Sequence, residues 1–517
     1  MSQNNSNNKR IAKNAAFLYL RMIVVTVVSL FTTRIVLQQL GVEDYGLYNV
    51  VAGFVSLFSV FITSISSAIT RYFNVAIGKK NKNEICSVYN ASIRIQVILG
   101  VIIFVLLEVI GLWYINYKMV IPVDRLWVAN WLFQFSVVTS MLMIVQVPHM
   151  SVILSYERLD FFAIVSLLDV ILKLIVVYLL ILTPNDKLWF YGLWSLLIVV
   201  FNNVLYYFYC KKYFNDTIKL KFGIDKALCK RMLSFSVWTF LDPIAYAIRG
   251  QGCNMVLNLY FGPLVNAAYG LSNQVAVALD KFAGNFSMAF RPQLIQSYSA
   301  SDYNRTKRLL FSMSKFSFIT QSTIFIAFIF EIENVLNLWL GNDYPDYAIP
   351  FTALILVVKN IDSLNTPVTT VVQAIGRIKK YMLYTSITVS TILPITWICL
   401  ELGMSPISMY VTMVVITILN QCVSVWLLHK YFDSIGILEY CCKVVVPCLV
   451  HTIFSIFAMY AVCMLFQPTF GRIIVTGIIS ILTTSFVAYT ITLDSTEKVL
   501  VSNAISKIRN KFYGKKN

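Results

Sequence analysis

Eight cations stand inside stretches of this chain that are otherwise long and apolar: Arg21, Arg34, Arg94, Lys173, Arg249, Lys281, Lys315 and Lys359. A charge centred in a membrane-spanning helix costs about 2.5–3.5 kcal/mol on insertion scales, so such residues usually face a polar cavity or a partner. The chemistry they offer is electrostatic binding rather than bond making. No Ser/His/Asp, HExxH or P-loop spacing accompanies the three histidines, His149, His429 and His451, so no enzyme is expected. Ten cysteines are scattered, and the adjacent Cys441-Cys442 pair fits neither a metal nor a redox spacing. No metal or organic cofactor is expected.

Among the cations Arg249 stands out. Tyr246 and Asp242, three and seven residues earlier, share its helical face, and Gln251, Asn254 and Asn258 form a second polar stripe. Pro243 would interrupt the backbone ladder and permit a kink, which marks it as a hinge candidate. The bland alternative is an Asp242–Arg249 pair across two turns. Lys173 follows Asp169 by four residues and Lys359 precedes Asp362 by three, spacings that allow neutralisation on one helix face. Lys281 follows Asp280 directly, so the two point to different sides. Arg21 and Arg34 have no acid one turn away; a cavity-facing position is read for the deeper Arg21, while for Arg34, nearer the outer end, cavity and interface stand equally open. Arg94 and Lys315 lie near span ends, where a long side chain would reach the interface by snorkelling. Asp169, Asp242 and Asp280 are the deeper acids and the candidates for a coupling Na⁺ or H⁺, while Glu108, Glu331 and Glu333 sit towards span ends, where water would reach them.

The elements that carry these residues are transmembrane helices. Of 517 residues, 58% are hydrophobic and 13% charged, with a mean hydropathy of +0.72. About fourteen apolar runs are long enough for a roughly 30 Å hydrocarbon layer, near 14–38, 47–69, 90–114, 126–147, 161–182, 188–209, 233–258, 265–288, 312–333, 348–372, 382–401, 407–428, 444–466 and 473–492. Unpaired backbone groups are costly in lipid, so runs of this length predict an all-α polytopic membrane protein. Thirty of the 42 Lys and Arg residues fall in alternate gaps, while the intervening gaps hold only Lys118, Arg125, Lys187 and Arg472. By the positive-inside rule the thirty-charge side, with both termini, faces the cytoplasm. The net charge of +18 is accounted for by these short loops, and no nucleic-acid motif accompanies it. The polar start and the arginine-broken first span are unlike a cleavable signal.

An internal echo adds a building unit. Leu40-Gly41 followed by Gly46-Leu47-Tyr48 matches Phe261-Gly262 followed by Ala267-Ala268-Tyr269, and Arg71 and Glu157-Arg158 match Arg291 and Gly376-Arg377 at nearly the same offset. Two parallel six-span halves follow, 1–228 and 229–430, with 431–517 holding two peripheral spans and a cytoplasmic tail. Such halves would enclose a cavity.

The stretch Gln251-Gly252, Leu257-Asn258, Phe261-Gly262-Pro263, Asn266-Ala267-Ala268, Asn285-Phe286 and Arg291-Pro292-Gln293 resembles the bacterial polysaccharide exporters. These are the Wzx-type flippases of the multidrug/oligosaccharidyl-lipid/polysaccharide superfamily. The first-loop residues Tyr45-Gly46-Leu47-Tyr48 and the Gly78-Lys79-Lys80 turn carry the likeness further. Pro148-His149 and Ser155-Tyr156-Glu157 depart from its Pro-Tyr and Ala-His-Glu pattern, which leaves specificity in that loop open. The resemblance implies a bacterial inner-membrane flippase for an undecaprenyl-diphosphate-linked oligosaccharide, an O-antigen or capsular repeat unit, working by alternating access beside a polysaccharide polymerase and chain-length machinery. It also implies a cationic cavity, because the planar fork of Arg donates two hydrogen bonds to phosphate at once. Arg249, Arg21, Arg34, Lys281, Lys173 and Lys359, with Gln251, Asn254 and Asn258 for sugar hydroxyls, are the expected substrate contacts. The rival is a multidrug exporter of the same superfamily coupled to Na⁺ or H⁺. A membrane scaffold, a third class, would need a large soluble domain, and the longest gaps hold only about two dozen residues.

Overall fold

In the computed structural model the described residues form helices and connecting turns, with no strand. The backbone is described for residues 2–57, 65–66, 69–70, 72–74, 76–77, 81–156, 158–183, 186–216, 218–219, 225–239, 241–341, 344–465, 470–495, 497–498 and 502. Side chains at 2–23, 159, 234–242, 281–293, 295–296, 299 and 470 also fall outside the description.

In chain order the helices are α1 (Ser2–Ser56) and α2 (Lys82–Leu106), which runs through a π turn at Leu107–Gly111 into α3 (Leu112–Tyr117). They continue as α4 (Leu126–Ser155), α5 (Leu159–Leu182), α6 (Lys187–Tyr213) and α7 (Lys226–Thr239). Next, α8 (Leu241–Ala247) passes through a second π turn, Ile248–Gly252, into α9 (Cys253–Ser299). Then follow α10 (Tyr303–Phe330), α11 (Ile332–Leu340), α12 (Ala348–Asp362), α13 (Asn365–Ile375) and α14 (Ile378–Ser390). The last are α15 (Ile392–Glu401), α16 (Ile407–Tyr431), α17 (Ile437–Tyr440), α18 (Val446–Leu465) and α19 (Phe470–Val487).

Eleven helical runs among the described residues are long and apolar enough to cross a membrane, which makes this a multi-pass membrane protein. The expected spans 14–38, 47–69, 233–258, 265–288 and 444–466 include residues outside the description. The chain divides into two compact units. One comprises Met1–Leu271, Asn342–Tyr347 and Ser390–Met409, and the other Ser272–Gly341, Ala348–Val389 and Tyr410–Asn517. In the first, α4 packs on α6 and α1 on α5, around a core in which Phe54 stacks on Tyr114 with ring centroids 5.5 Å apart. In the second, α10 packs on α18 and α19, and Leu294, Met313, Val371 and Leu428 are among the fully buried residues.

The two loops matched in sequence share one backbone device. Gly41 has φ 80 and ψ 171, and Gly262 has φ 69 and ψ −170, so each breaks its helix in a region that L side chains rarely adopt. After these breaks the chain makes a close crossing inside the first unit. A Cβ on Gly46 would lie 1.8 Å from the Pro263 carbonyl oxygen, and one on Gly270 would lie 2.5 Å from Asn49 Cγ. Gly46 lets two backbones touch and Gly270 makes room for the Asn49 side chain, the use of small residues by which membrane helices pack closely.

Candidate functional site

Arg249 sits in the π turn between α8 and α9 and is 6% exposed. A π turn inserts one residue into the helical ladder, and such bulges recur at functional sites because they re-aim side chains. The guanidinium carbon lies 5.6 Å from the Tyr246 ring centroid, so the phenol face supports the cation from the preceding turn. Two residues on, Gln251 Oε1 is buried with no hydrogen-bond partner among the described residues. The second half of α1 packs against this turn at Gly53, where a Cβ would stand 2.3 Å from Gln251 Oε1. Arg249 and the Gln251 oxygen, assigned to separate stripes by the sequence, are thus two buried polar groups of one π turn, the second of them facing Gly53 of α1.

Asn254 and Asn258 lie deeper in the packing, 1% and 0% exposed. Asn254 Nδ2 donates to the Asn49 carbonyl at 3.3 Å, while Asn266 Nδ2 donates to both Asn254 oxygens at 2.7 Å. Asn258 Nδ2 donates to Asn266 Oδ1 at 3.0 Å, and Asn258 Oδ1 accepts from the Val120 amide at 3.0 Å. This asparagine ladder straddles the Gly262 break and ties α9 to the Asn49 carbonyl of α1 and to the Val120 backbone. Its side chains are committed to that task.

The remaining predicted residues are dispersed. Lys173 Nζ is 2.9 Å from Asp169 Oδ2, as the spacing suggested, and Asn202 Nδ2 donates to Asp169 Oδ1 at 2.8 Å. Lys359 forms an ion pair with Asp280 of α9 at 2.5 Å, a partner on another helix that the sequence spacing to Asp362 did not offer. Arg34 is half-buried in α1. Pro243 lies in the first turn of α8, where the missing amide costs no ladder bond. Arg21, Asp242 and Lys281 have side chains outside the described residues, so both the Arg21 cavity position and the Asp242–Arg249 pair lie outside them too.

Several charged contacts carry no local sequence signal. Lys315 does not snorkel: it is 4% exposed, 2.5 Å from Glu497 Oε2 and 3.8 Å from Asp494, and Ser312 donates to Glu497 Oε1 at 2.8 Å. Glu331 is buried rather than solvated, 2.6 Å from Arg472 Nε and bonded to Asn334 Nδ2 at 2.5 Å. Arg125, one of the sparse cations of its side, bridges Asp44 and Asp186 and so ties α1 to the start of α6. Among the described residues no group of His, Cys, Asp and Glu would hold a metal ion.

The sequence profile of the polysaccharide biosynthesis protein family matches residues 11–298, more than half of the chain. The chain belongs to that family. Among curated proteins it is 22% identical over 278 residues to the uncharacterized membrane protein EpsK of Bacillus subtilis (strain 168), covering 53% of this chain. The chain spans about half the length of that relative, 54%. Among solved structures, the lipid II flippase MurJ in an inward closed conformation superposes with a TM-score of 0.66 at 13% identity, over 92% of this chain and 98% of that one. An inward-facing multidrug resistance MATE family transporter of the MOP superfamily gives 0.63 at 14% identity, over 82% and 100%. A MOP superfamily transporter from Pyrococcus furiosus, described by the reversed polarity of its binding pocket, gives 0.58 at 14% identity, over 82% and 96%. At these identities the likeness shows the fold, and this member of the polysaccharide biosynthesis family has the fold of MOP transporters.

Proposed function

We propose that the protein is a flippase that carries an undecaprenyl-diphosphate-linked oligosaccharide from the cytoplasmic to the outer leaflet of a bacterial inner membrane. The observation that carries this reading is the buried Arg249 at the π turn, in the same turn as a Gln251 oxygen with no hydrogen-bond partner among the described residues. An arginine taken out of water favours an anion with several acceptor oxygens, and its two parallel donors match a phosphate. An amide acceptor two residues away suits a sugar hydroxyl, which donates. The family assignment supports a saccharide cargo, and the fold supports transport over a covalent reaction, so no catalytic group is required.

In this reading the Lys/Arg-rich loops and both termini face the cytoplasm. The Gly46–Pro263 crossing, at the Lys/Arg-poor end, closes the outer side. Access alternates as this crossing parts, with 1–228 and 229–430 as the two repeats, 431–517 at their periphery and Pro243 as a hinge near the site. Arg21, Arg34 and Lys281 remain proposed anion contacts. Lys173 and Lys359, each already meeting a carboxylate, would contribute when those pairs open. Asp169, Asp242 and Asp280 remain the groups through which Na⁺ or H⁺ would couple. A polymerase and chain-length machinery would take the product on the outer side.

The test replaces Arg249 by Ala and by Lys in cells that depend on this protein for surface glycan. Arg249→Ala should abolish glycan while protein remains in the membrane, with partial recovery in Arg249→Lys, which keeps the charge but loses the fork. Normal glycan from well-expressed Arg249→Ala would remove Arg249 from the site. Altered drug tolerance with unchanged glycan would favour the multidrug exporter.

A further inference from the structure

A groove of about 900 Å³ lies between α2 and α7 in the first unit, built from different elements than the π turn that holds Arg249. Its wall is apolar over most of its length, with Ile98, Ile102 and Leu233 standing 61%, 49% and 40% exposed. Three cations contribute to its lining, Arg94 from α2 and Lys226 and Lys230 from successive turns at the start of α7. α7 is amphipathic. Its Leu228 and Met232 are buried against Phe73 and Tyr89, while Lys226, Lys230 and Leu233 form the opposite stripe that faces the groove. Asp225 caps this helix, its Oδ1 accepting from the Leu228 amide at 2.9 Å, and its single negative charge stands against the three cations.

The geometry points to a site for a single anionic glycerophospholipid, with its acyl chains along Ile98, Ile102 and Leu233 and its phosphate on Arg94, Lys226 and Lys230. The charge is one-ended, as a phospholipid's is, and basic pockets between membrane helices are the recurring way that proteins recognise anionic headgroups. Among the described residues the groove lining carries no Asn, Gln, Tyr or Trp, the residue types that would meet a sugar, which separates this site from one for the proposed saccharide cargo. Its basic end belongs to the Lys/Arg-rich side of the spans, where the surface potential of anionic lipid adds to the attraction. Since α7 is the segment that leads from the first six spans into the helix bearing Arg249, an occupied groove would hold α7 against α2.

Native mass spectrometry of the full chain in detergent tests this, with phosphatidylglycerol, phosphatidylcholine and inorganic phosphate as probes. The wild type should retain one phosphatidylglycerol in preference to phosphatidylcholine. Lys226→Gln/Lys230→Gln, on an exposed face, should weaken retention roughly 30-fold, about fivefold for each lysine removed. Ile98→Trp, which fills the apolar part, should also lower it, and Arg249→Ala should leave it unchanged, so that this site and the proposed transport site fail separately. Equal retention of the two lipids, wild-type retention by the double variant with an unaltered melting temperature, or displacement of the lipid by inorganic phosphate would each overturn the proposal.

Discussion

Gly46→Ala is the substitution whose consequence follows most directly from backbone geometry. The added Cβ would stand 1.8 Å from the Pro263 carbonyl oxygen and 3.2 Å from the Ala267 amide nitrogen, where unstrained contact begins near 3.4 Å. Relieving the first overlap takes about 1.6 Å of separation between two backbones, and no rotamer change can supply it because the obstructing atom is main chain. Parting them stretches the neighbouring contact of Asn49 with Gly270 and the 3.3 Å bond from Asn254 to the Asn49 carbonyl. Overpacking of this kind costs roughly 1–3 kcal/mol, and the lost hydrogen bond adds about 1 kcal/mol. Gly477→Ala is the control, since nothing lies within 4 Å of where its new Cβ would stand and Ala is the better helix former by about 1 kcal/mol. Thermal unfolding in detergent, followed by loss of the monodisperse peak in size-exclusion chromatography, should place Gly46→Ala several degrees below wild type and Gly477→Ala at or above it. A Gly46→Ala protein that melts with the wild type would refute the close crossing.

Other substitutions separate structural polar groups from binding ones. Lys315→Met should cost about 3–5 kcal/mol by stranding Glu497 in a buried site, and adding Glu497→Leu should restore much of it, as a double-mutant cycle on melting temperature would show. Asn258→Leu leaves the Val120 amide and Asn266 without their partner, at about 1–3 kcal/mol; any glycan loss should track the fall in folded protein, not exceed it. Removing Arg125 as Arg125→Gln leaves Asp44 and Asp186 facing each other, so stability should drop and become more dependent on salt, read as melting temperature at low and high ionic strength.

The spans were legible because twenty apolar residues in a row are nearly a structure in themselves, and the matched Gly41 and Gly262 were legible as a spacing. That both adopt positive φ follows from the need for a break that a side chain would oppose. Partnership between helices was not legible. Glu497 is 182 residues from Lys315, and Arg472 is 141 from Glu331. Helical periodicity names the face of a residue, not the helix opposite it. The same gap explains Asn254 and Asn258, which shared a polar stripe with Gln251 yet meet the Asn49 carbonyl of α1 and the Val120 backbone of the loop after α3. It also explains Lys359, whose ion-pair partner Asp280 stands on another helix. The π turn at Arg249 left no trace in composition, because an extra residue per turn leaves hydropathy unchanged.

The decisive measurement is transfer in liposomes that hold the purified protein and a lipid-linked oligosaccharide, read as the fraction of saccharide accessible to an added glycan-binding protein. Wild type should raise that fraction well above protein-free liposomes, and Arg249→Ala of equal folded content should return it to background. Equal accessibility with and without the wild-type protein, or undiminished transfer by Arg249→Ala, would contradict an anion-carrying flippase centred on that residue.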